Sequence, residues 1–392
     1  MLSLKNEMDF KDISVVHLML GSQCNMCCRH CSQNPVKKDN FKDEFISSDV
    51  CLFIDNFINF AVNGGNRKKY LFYFWGGEAL LHWDLIKSIV IKYSKKYHLN
   101  GNNKFQFVIS SNGLLLTEDI VQFINYYGIQ FNFSYDAPEP FIVRGFVSDD
   151  ICNLVNEIRN LVVISSFNAV NCDFYSAYYC LRTKFPNARI SLMLELMYTF
   201  GMPKDIVSFD YSVLRENFRK VRIAVQYKEN FFVKFVSKSL SPILSPDVNS
   251  FFLKNGVKSC FAGMWYLPVT LYGDVMFCHN SGVKIGTLND SLQEIYDKGF
   301  AYVNQYKSLQ CLNCKHKDIC IGPCTVSLWN KDKFVYCDLY KKQVYDVFKE
   351  EMKLIGKPLS EKDMVWFENV KSNLSVVINN FLEKGGKKYG MG

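Results

Sequence analysis

Four cysteines fall within eight positions in the stretch CNMCCRHC, residues 24–31, and Cys24, Cys28 and Cys31 are spaced C-x3-C-x2-C. Three thiolates from one loop can hold three irons of a four-iron cluster and leave the fourth iron open. An open coordination position is where catalytic metals take small molecules. A zinc site is the alternative, and its fourth ligand would have to be a neighbour such as His30 or Cys27. A second group lies toward the other end of the chain. Cys260 and Cys278 enclose Gly273 as C-x12-G-x4-C, Cys311, Cys314, Cys320 and Cys324 read C-x2-C-x5-C-x3-C, and Cys337 follows. A zinc ribbon explains two C-x2-C pairs but not seven cysteines in this order. Cys51, Cys152, Cys172 and Cys180 have no metal spacing and read as small core residues.

The chain around these cysteines has 392 residues, 48% of them hydrophobic, which predicts a folded protein of more than one domain. Fifteen cysteines without a signal-peptide core at the N-terminus point to metal or redox chemistry in the cytoplasm rather than to disulfides. No apolar run reaches the roughly 18 residues of a membrane span. The formal charge of +8 comes from 46 basic and 38 acidic residues spread along the chain. Short basic tracts such as NRKKY read as solvated loops and helix ends, so neither nucleic acid nor membrane is an expected partner, although a mild preference for an acidic one is.

The elements that must position the first cysteine loop are legible as short β-like runs alternating with amphipathic stretches. SVVHLML, YLFYFW, FQFVIS, IQFNFSY, NLVVISSF and RISLMLEL are the apolar runs, separated by helix-like segments such as Ser48–Phe60 and Trp83–Tyr97. This alternation predicts βα units and a parallel sheet. Six units are too few for a closed eight-stranded barrel, so the expected fold is α/β, an open partial barrel with its site on the loops that follow the strands. Residues 201–258 look less regular and read as a bridge. Cys260–Cys337 read as a small domain held by metal. The final segment opens on a capping pattern at Ser360, and Phe367, Val370, Leu374, Val377, Ile378 and Phe381 share one apolar face of an expected docked helix.

The cysteine loop after a first strand closely resembles the signature of the radical S-adenosylmethionine (radical SAM) enzymes, whose residue before the third cysteine is usually aromatic and is here His30. Later landmarks keep the family's order. Gly76, Gly77 and Glu78 in FWGGEALL resemble its GGE motif, which receives the methionine amino group. Ser111 and Asn112 in SSNGLLL resemble its T-N-G stretch. FSYDAPEPFIVRG resembles its S-x-D-G-P…R-G stretch, with Ala137 in place of the usual glycine. The match makes Ser134 and Arg144 candidates for the cofactor carboxylate, has Asp136 line the site, and adds Ser166 and Asn168 from SSFNAV. The second cysteine group resembles the SPASM domain, which binds two auxiliary clusters. The pattern carried across gives one cluster Cys311, Cys314, Cys320 and Cys337, and the other Cys260, Cys278 and Cys324, one ligand short.

The resemblance implies a partial (β/α)6 radical SAM barrel at 1–205, a bridging region at 206–258, a SPASM domain at 259–340 and a C-terminal helical segment at 341–392. It implies S-adenosylmethionine and three [4Fe-4S] clusters as cofactors, and a flavodoxin- or ferredoxin-type electron donor. The activity it implies is that of an oxidoreductase making a 5′-deoxyadenosyl radical to modify a ribosomally made peptide, by thioether or other crosslink formation. Sulfatase-type maturation and a small-molecule substrate are the alternatives within the family; a non-catalytic zinc or electron-transfer module is the one outside it. His279 follows Cys278 where sulfatase maturases have an aspartate, which makes it a candidate base near neutral pH. Only 23 residues precede Cys24 here, so recognition of a peptide leader is expected to need a separate protein or another surface.

Overall fold

The computed structural model describes residues 13–31, 33, 46–65, 67–100, 102–137, 144–170, 173–194, 203–226, 266–280, 282–304, 313, 315, 342–354 and 356–369. Each of the six apolar runs forms a strand: β1 (Val15–Met19), β2 (Tyr70–Trp75), β3 (Phe105–Ser111), β4 (Gln130–Ser134), β5 (Leu161–Phe167) and β6 (Arg189–Leu194). Between them run α1 (Ser48–Asn63), α2 (Trp83–Tyr97), α3 (Glu118–Tyr126), α4 (Asp149–Asn156) and α5 (Phe174–Lys184). Side-chain oxygens start three of these helices: Ser47, Thr117 and Ser148 accept from Val50, Ile120 and Ile151 N–H. All neighbouring pairs from β1 to β6 are parallel, as helical crossovers require.

The two faces of this sheet differ. Phe57 of α1 lies with its ring centroid 6.1–6.4 Å from those of Phe53, Tyr70, Phe72 and Phe105, so Tyr70 and Phe72 face the helices and are fully buried. Leu71, Tyr73 and Trp75 alternate with them and point to the other, inner face, where they are only half-buried. The inner face of β2 is therefore only partly covered.

The sheet does not stop at six strands. Beyond α6 (Lys204–Val207) and α7 (Tyr211–Gln226), β7 (Tyr266–Thr270) pairs in parallel with β1, and β8 (Asp274–Met276) and β9 (Lys284–Thr287) continue it antiparallel. The nine strands run β6-β5-β4-β3-β2-β1-β7-β8-β9. The start of the second cysteine region is thus built onto the edge of the barrel sheet, beside the strand that delivers the first cysteine loop. Two helices follow within the described residues, α8 (Leu292–Asn304) and α9 (Lys342–Met352), before a last one at 361–369.

Residues 211–226, expected to be irregular, are a full helix. Its buried side includes Leu214, Phe218 and Ile223 but also Asn217 and Arg222. Those polar residues break the apolar period that a sequence reading depends on. Arg222 reaches Glu351 of α9 at 3.2 Å and Asp363 at 3.5 Å, Arg219 also pairs with Asp363, and the Phe218 ring meets Phe348 edge-on. The capping pattern at Ser360 forms as expected: Asp363 N–H donates to Ser360 Oγ, and Ser360 N–H to Asp363 Oδ2. Phe367 is buried; the rest of the expected apolar face lies outside the described residues.

Phe57→Ala should cost about 3–5 kcal/mol, because four rings lose a common neighbour in a fully buried place. Urea denaturation reads this directly, and a loss well below that range would show that the α1–sheet contact is not a keystone of the fold.

Candidate active site

The cysteine loop leaves β1 and is fastened at once to the loop that follows β2. Leu20 N–H donates to Trp75 O at 2.7 Å, Gly77 N–H to Gly21 O at 2.9 Å, and Glu78 N–H to Gln23 O at 2.8 Å. A side chain at Gly77 would place its Cβ 2.2 Å from Gln23 O and 2.5 Å from Ser22 O. The glycine is needed because the backbone of the cysteine loop fills that space.

Glu78 is buried and aims its carboxylate away from the inner face. Oε1 accepts from Leu80 N–H at 2.9 Å and Ser111 Oγ–H at 2.7 Å, while Oε2 accepts from Asn112 N–H at 2.8 Å. Burial raises its pKa, opposed by these three donors. Asn112 relays the hold: its Nδ2 donates to Asn25 Oδ1 at 2.7 Å and lies 3.9 Å from Cys24 Sγ. Glu78, Ser111 and Asn112, expected to bind a cofactor, form a buried latch that ties the loops after β1, β2 and β3 together.

A second network reaches the cysteines from β4. Asp136 is fully buried; it pairs with Arg144 Nε at 3.1 Å and with His30 Nε2 at 3.3 Å, and accepts Ser166 N–H at 2.7 Å. Arg144 Nη1 lies 3.8 Å from Cys28 Sγ, and Met26 N–H points at Cys24 Sγ. Burial pushes the Cys28 thiol up to about 11; Arg144 works against this, and Cys31, Asp136 and Cys24 add to it. Cys24, Cys28 and Cys31 are therefore close enough to sense one another, whereas Cys27 is exposed. His30 and Cys27, the two proposed fourth ligands for zinc, are respectively engaged by Asp136 and turned outward. Among the described residues no three His, Cys, Asp or Glu side chains converge as ligands of a single metal ion. Thiolates that each bind a separate iron need no such convergence.

Ser134 ends β4 half-buried on the inner face, and Asn168 is buried just after β5, its Oδ1 accepting Val170 N–H. His279 is elsewhere. It lies in the turn after β8, against the inner face of β1 and β2, with ring centroids 4.4 Å from Trp75, 4.9 Å from His17 and 5.5 Å from Tyr266. Burial pushes His279 down to about 4, so it is an uncharged group at neutral pH and not one poised to titrate there. Cys278 beside it is buried and accepts from Tyr266 Oη–H at 3.3 Å and Asn280 N–H at 3.4 Å. Asp274 pairs with Lys284 at 2.6 Å. Cys260, Cys311, Cys314, Cys320, Cys324 and Cys337 lie outside the described residues. Sequence reading missed His17, Trp75, Tyr266 and the Asp136–His30 link. A histidine inside an apolar strand and a tryptophan directly before two glycines were the available signals.

With this geometry in place, comparison defines the class: residues 18–169 match the Radical SAM superfamily, and this part of the chain is a radical SAM domain. The chain is 22% identical over 384 residues, 90% of its length and 77% of the relative's, to the radical SAM cyclopropyl synthase TigE of Paramaledivibacter caminithermalis. Its fold is similar to that of anSMEcpe with bound AdoMet, at a TM-score of 0.61 and 15% identity, covering 88% of this chain and 100% of that one. It is also similar to Streptococcus suis SuiB bound to precursor peptide SuiA, at 0.56 and 14%, covering 82% and 74%.

Two outcomes follow from the latch. Glu78→Gln sets an NH2 group against a donor and should cost about 1–3 kcal/mol. The raised folded pKa of Glu78 gives stability that is present below the ordinary Glu value and lost as pH rises through the folded value. The gap between wild type and Glu78→Gln should therefore widen as pH falls from neutral toward that range, and thermal denaturation at several pH values would refute this by showing a constant gap. Gly77→Ala should displace the cysteine loop, so the purified variant should take up less iron on anaerobic reconstitution; loading equal to wild type would contradict the close fit.

Proposed function

We propose that this protein is a radical SAM oxidoreductase that modifies a peptide. One observation carries the reading: the C-x3-C-x2-C loop stands at the C-terminal end of β1, where barrel sites form, and is fixed there by the loops after β2, β3 and β4. The donor set suits a cluster. Cys24 and Cys28 each have an N–H or a guanidinium directed at the sulfur, which stabilises thiolate.

A cluster held by Cys24, Cys28 and Cys31, with S-adenosylmethionine bound, would supply a 5′-deoxyadenosyl radical that takes a hydrogen atom from the substrate. The chain's own groups orient and shield. Gly76 and Gly77 offer backbone beside the cysteine loop, Ser134, Ser166 and Asn168 offer polar groups at the strand ends, and Arg144 is the cation for a carboxylate. Asp136 and His30 hold Arg144 in position, while Glu78 and Ser111 keep the loops in register.

We further read residues 1–205 as the barrel, 206–258 as a bridge, 259–340 as a SPASM domain and 341–392 as a C-terminal segment. Cys278, buried with two donors on its sulfur, suits a cluster thiolate. With Cys260 and Cys324 it would hold one auxiliary cluster, and Cys311, Cys314, Cys320 and Cys337 the other. Such clusters would supply a one-electron acceptor, which suits an oxidative product. A peptide substrate is supported by fold likeness to SuiB bound to its precursor peptide and to anSMEcpe bound to the Cp18Cys peptide. Similarity to a cyclopropyl synthase supports bond formation at carbon, by ring closure or crosslinking. A separate leader-binding protein and a flavodoxin- or ferredoxin-type donor complete the expected set.

Anaerobically reconstituted protein should carry roughly twelve irons per chain if three clusters have four each, and after reduction should release 5′-deoxyadenosine from S-adenosylmethionine. Changing Cys24, Cys28 and Cys31 together to Ala should remove about a third of the iron and all of the cleavage. Stoichiometric zinc with no iron, or cleavage that survives the triple change, would overturn the reading.

A further inference from the structure

Arg144 is held more firmly than a partner for a cofactor carboxylate needs to be. Its Nε and Nη2 fork onto the two oxygens of Asp136 at 3.1 and 3.5 Å, and Nη2 also lies 3.3 Å from His30 Nε2. That leaves Nη1 donating to Cys28 Sγ at 3.8 Å. Asp136 is itself fixed: it is fully buried, its Oδ1 accepts Ser166 N–H at 2.7 Å, and its Oδ2 lies 3.3 Å from His30 Nε2. The backbone brings the guanidinium close. Gly145 has φ +133°, and a Cβ there would stand 3.0 Å from Met26 Cε, so the chain that carries Arg144 passes directly against the cysteine loop. A planar fork gripped along one edge has little freedom to turn, so the orientation of its remaining donor toward the sulfur is built in. Enclosing these charges is costly, and the fold does so beside one particular sulfur.

We propose that Arg144, held in place by Asp136 and His30, raises the reduction potential of a cluster bound through Cys28. The proposal rests on the radical SAM reading above and gives a second task to the residue offered there as the cation for the cofactor carboxylate. A cluster that accepts one electron from a flavodoxin- or ferredoxin-type donor gains one negative charge. Net charge and hydrogen bonds to the sulfurs are among the levers that set its potential. A guanidinium keeps its proton at any working pH, so beside Cys28 it favours the more negative, reduced form. Its partly enclosed position limits screening by salt. The donors at Cys24 are neutral, Met26 N–H at 3.4 Å and Asn112 Nδ2 at 3.9 Å, and neutral donors are about half as strong as charged ones. His30 is a positioning residue in this arrangement. It stands where the resembling enzymes have an aromatic residue, and its imidazole reaches Asp136 and Arg144 as a hydrocarbon ring could not.

The test is a redox titration of cluster-loaded protein followed by electron paramagnetic resonance, read on the signal that is lost when Cys24, Cys28 and Cys31 are all Ala. It is run without S-adenosylmethionine, so a role confined to the cofactor carboxylate cannot move the result. Arg144→Met should make this cluster about tenfold harder to reduce, a midpoint lower by about 59 mV for one electron. Arg144→Lys, which keeps the charge and loses the fork, should recover part of that shift. Arg144→Met leaves Asp136 unpaired, so Arg144→Met with Asp136→Asn covers the case in which the single variant does not hold iron. The pair removes both charges and the donor to the sulfur, and should still lower the midpoint. His30→Phe should lower it less than Arg144→Met does, with iron content as wild type. A midpoint at or above the wild-type value in both variants lacking Arg144 overturns the proposal, and an unchanged midpoint in His30→Phe overturns the positioning role. Wild-type protein that holds no iron on these cysteines, or that does not cleave S-adenosylmethionine, instead overturns the radical SAM reading.

Discussion

The site depends on one buried carboxylate. Glu78 sits between three loops and meets three donors, one from its own loop, Leu80 N–H, and two from the loop after β3, Ser111 and Asn112. Its own N–H grips the cysteine loop through Gln23 O. A buried charge is tolerated only when its hydrogen-bonding capacity is met, so the three loops must keep their relative positions for the fold to accept Glu78 at all. Gly77 makes the arrangement tighter, since the cysteine loop occupies the space of its missing side chain. Few alternative loop positions satisfy both conditions.

From this latch the site divides into a charged part and an uncharged part. On the β4 side, Asp136, Arg144 and His30 form a buried charged group against Cys28. On the β7 side, neutral imidazoles and aromatic rings lie against the inner face, next to Cys278. Burial holds His17 well below its ordinary value, with His279 acting in the same direction, so that side stays uncharged across the neutral range. The strand pairing explains how the two meet: β1 has β2 on one side and β7 on the other, so the second cysteine region is joined to the same strand that carries the first.

The six strands and their helices were readable because each strand alternates or saturates with apolar residues and three helices open on Ser or Thr caps. The cysteine loop was readable from spacing alone. What the residue types did not reveal is where each side chain points. Glu78 and Ser111 lie in two separate stretches expected to bind a cofactor; here they point into the protein and bond to each other, because Ser111 lies on the helix-facing side of β3. The enclosure of His279 by rings from β1, β2 and β7 was not readable, because no local pattern predicts it. Residues 211–226 were hidden for a related reason: a buried arginine, neutralised by acids more than a hundred positions later, interrupts the apolar stripe.

Electron paramagnetic resonance of the reduced, cluster-loaded protein, recorded before and after addition of S-adenosylmethionine, tests the central claim that the latched Cys24–Cys28–Cys31 loop presents an open iron. The cofactor should shift the signal of the cluster on these cysteines, and the shift should vanish when all three are Ala. A reduced-cluster spectrum from that loop that is unchanged by S-adenosylmethionine would contradict it.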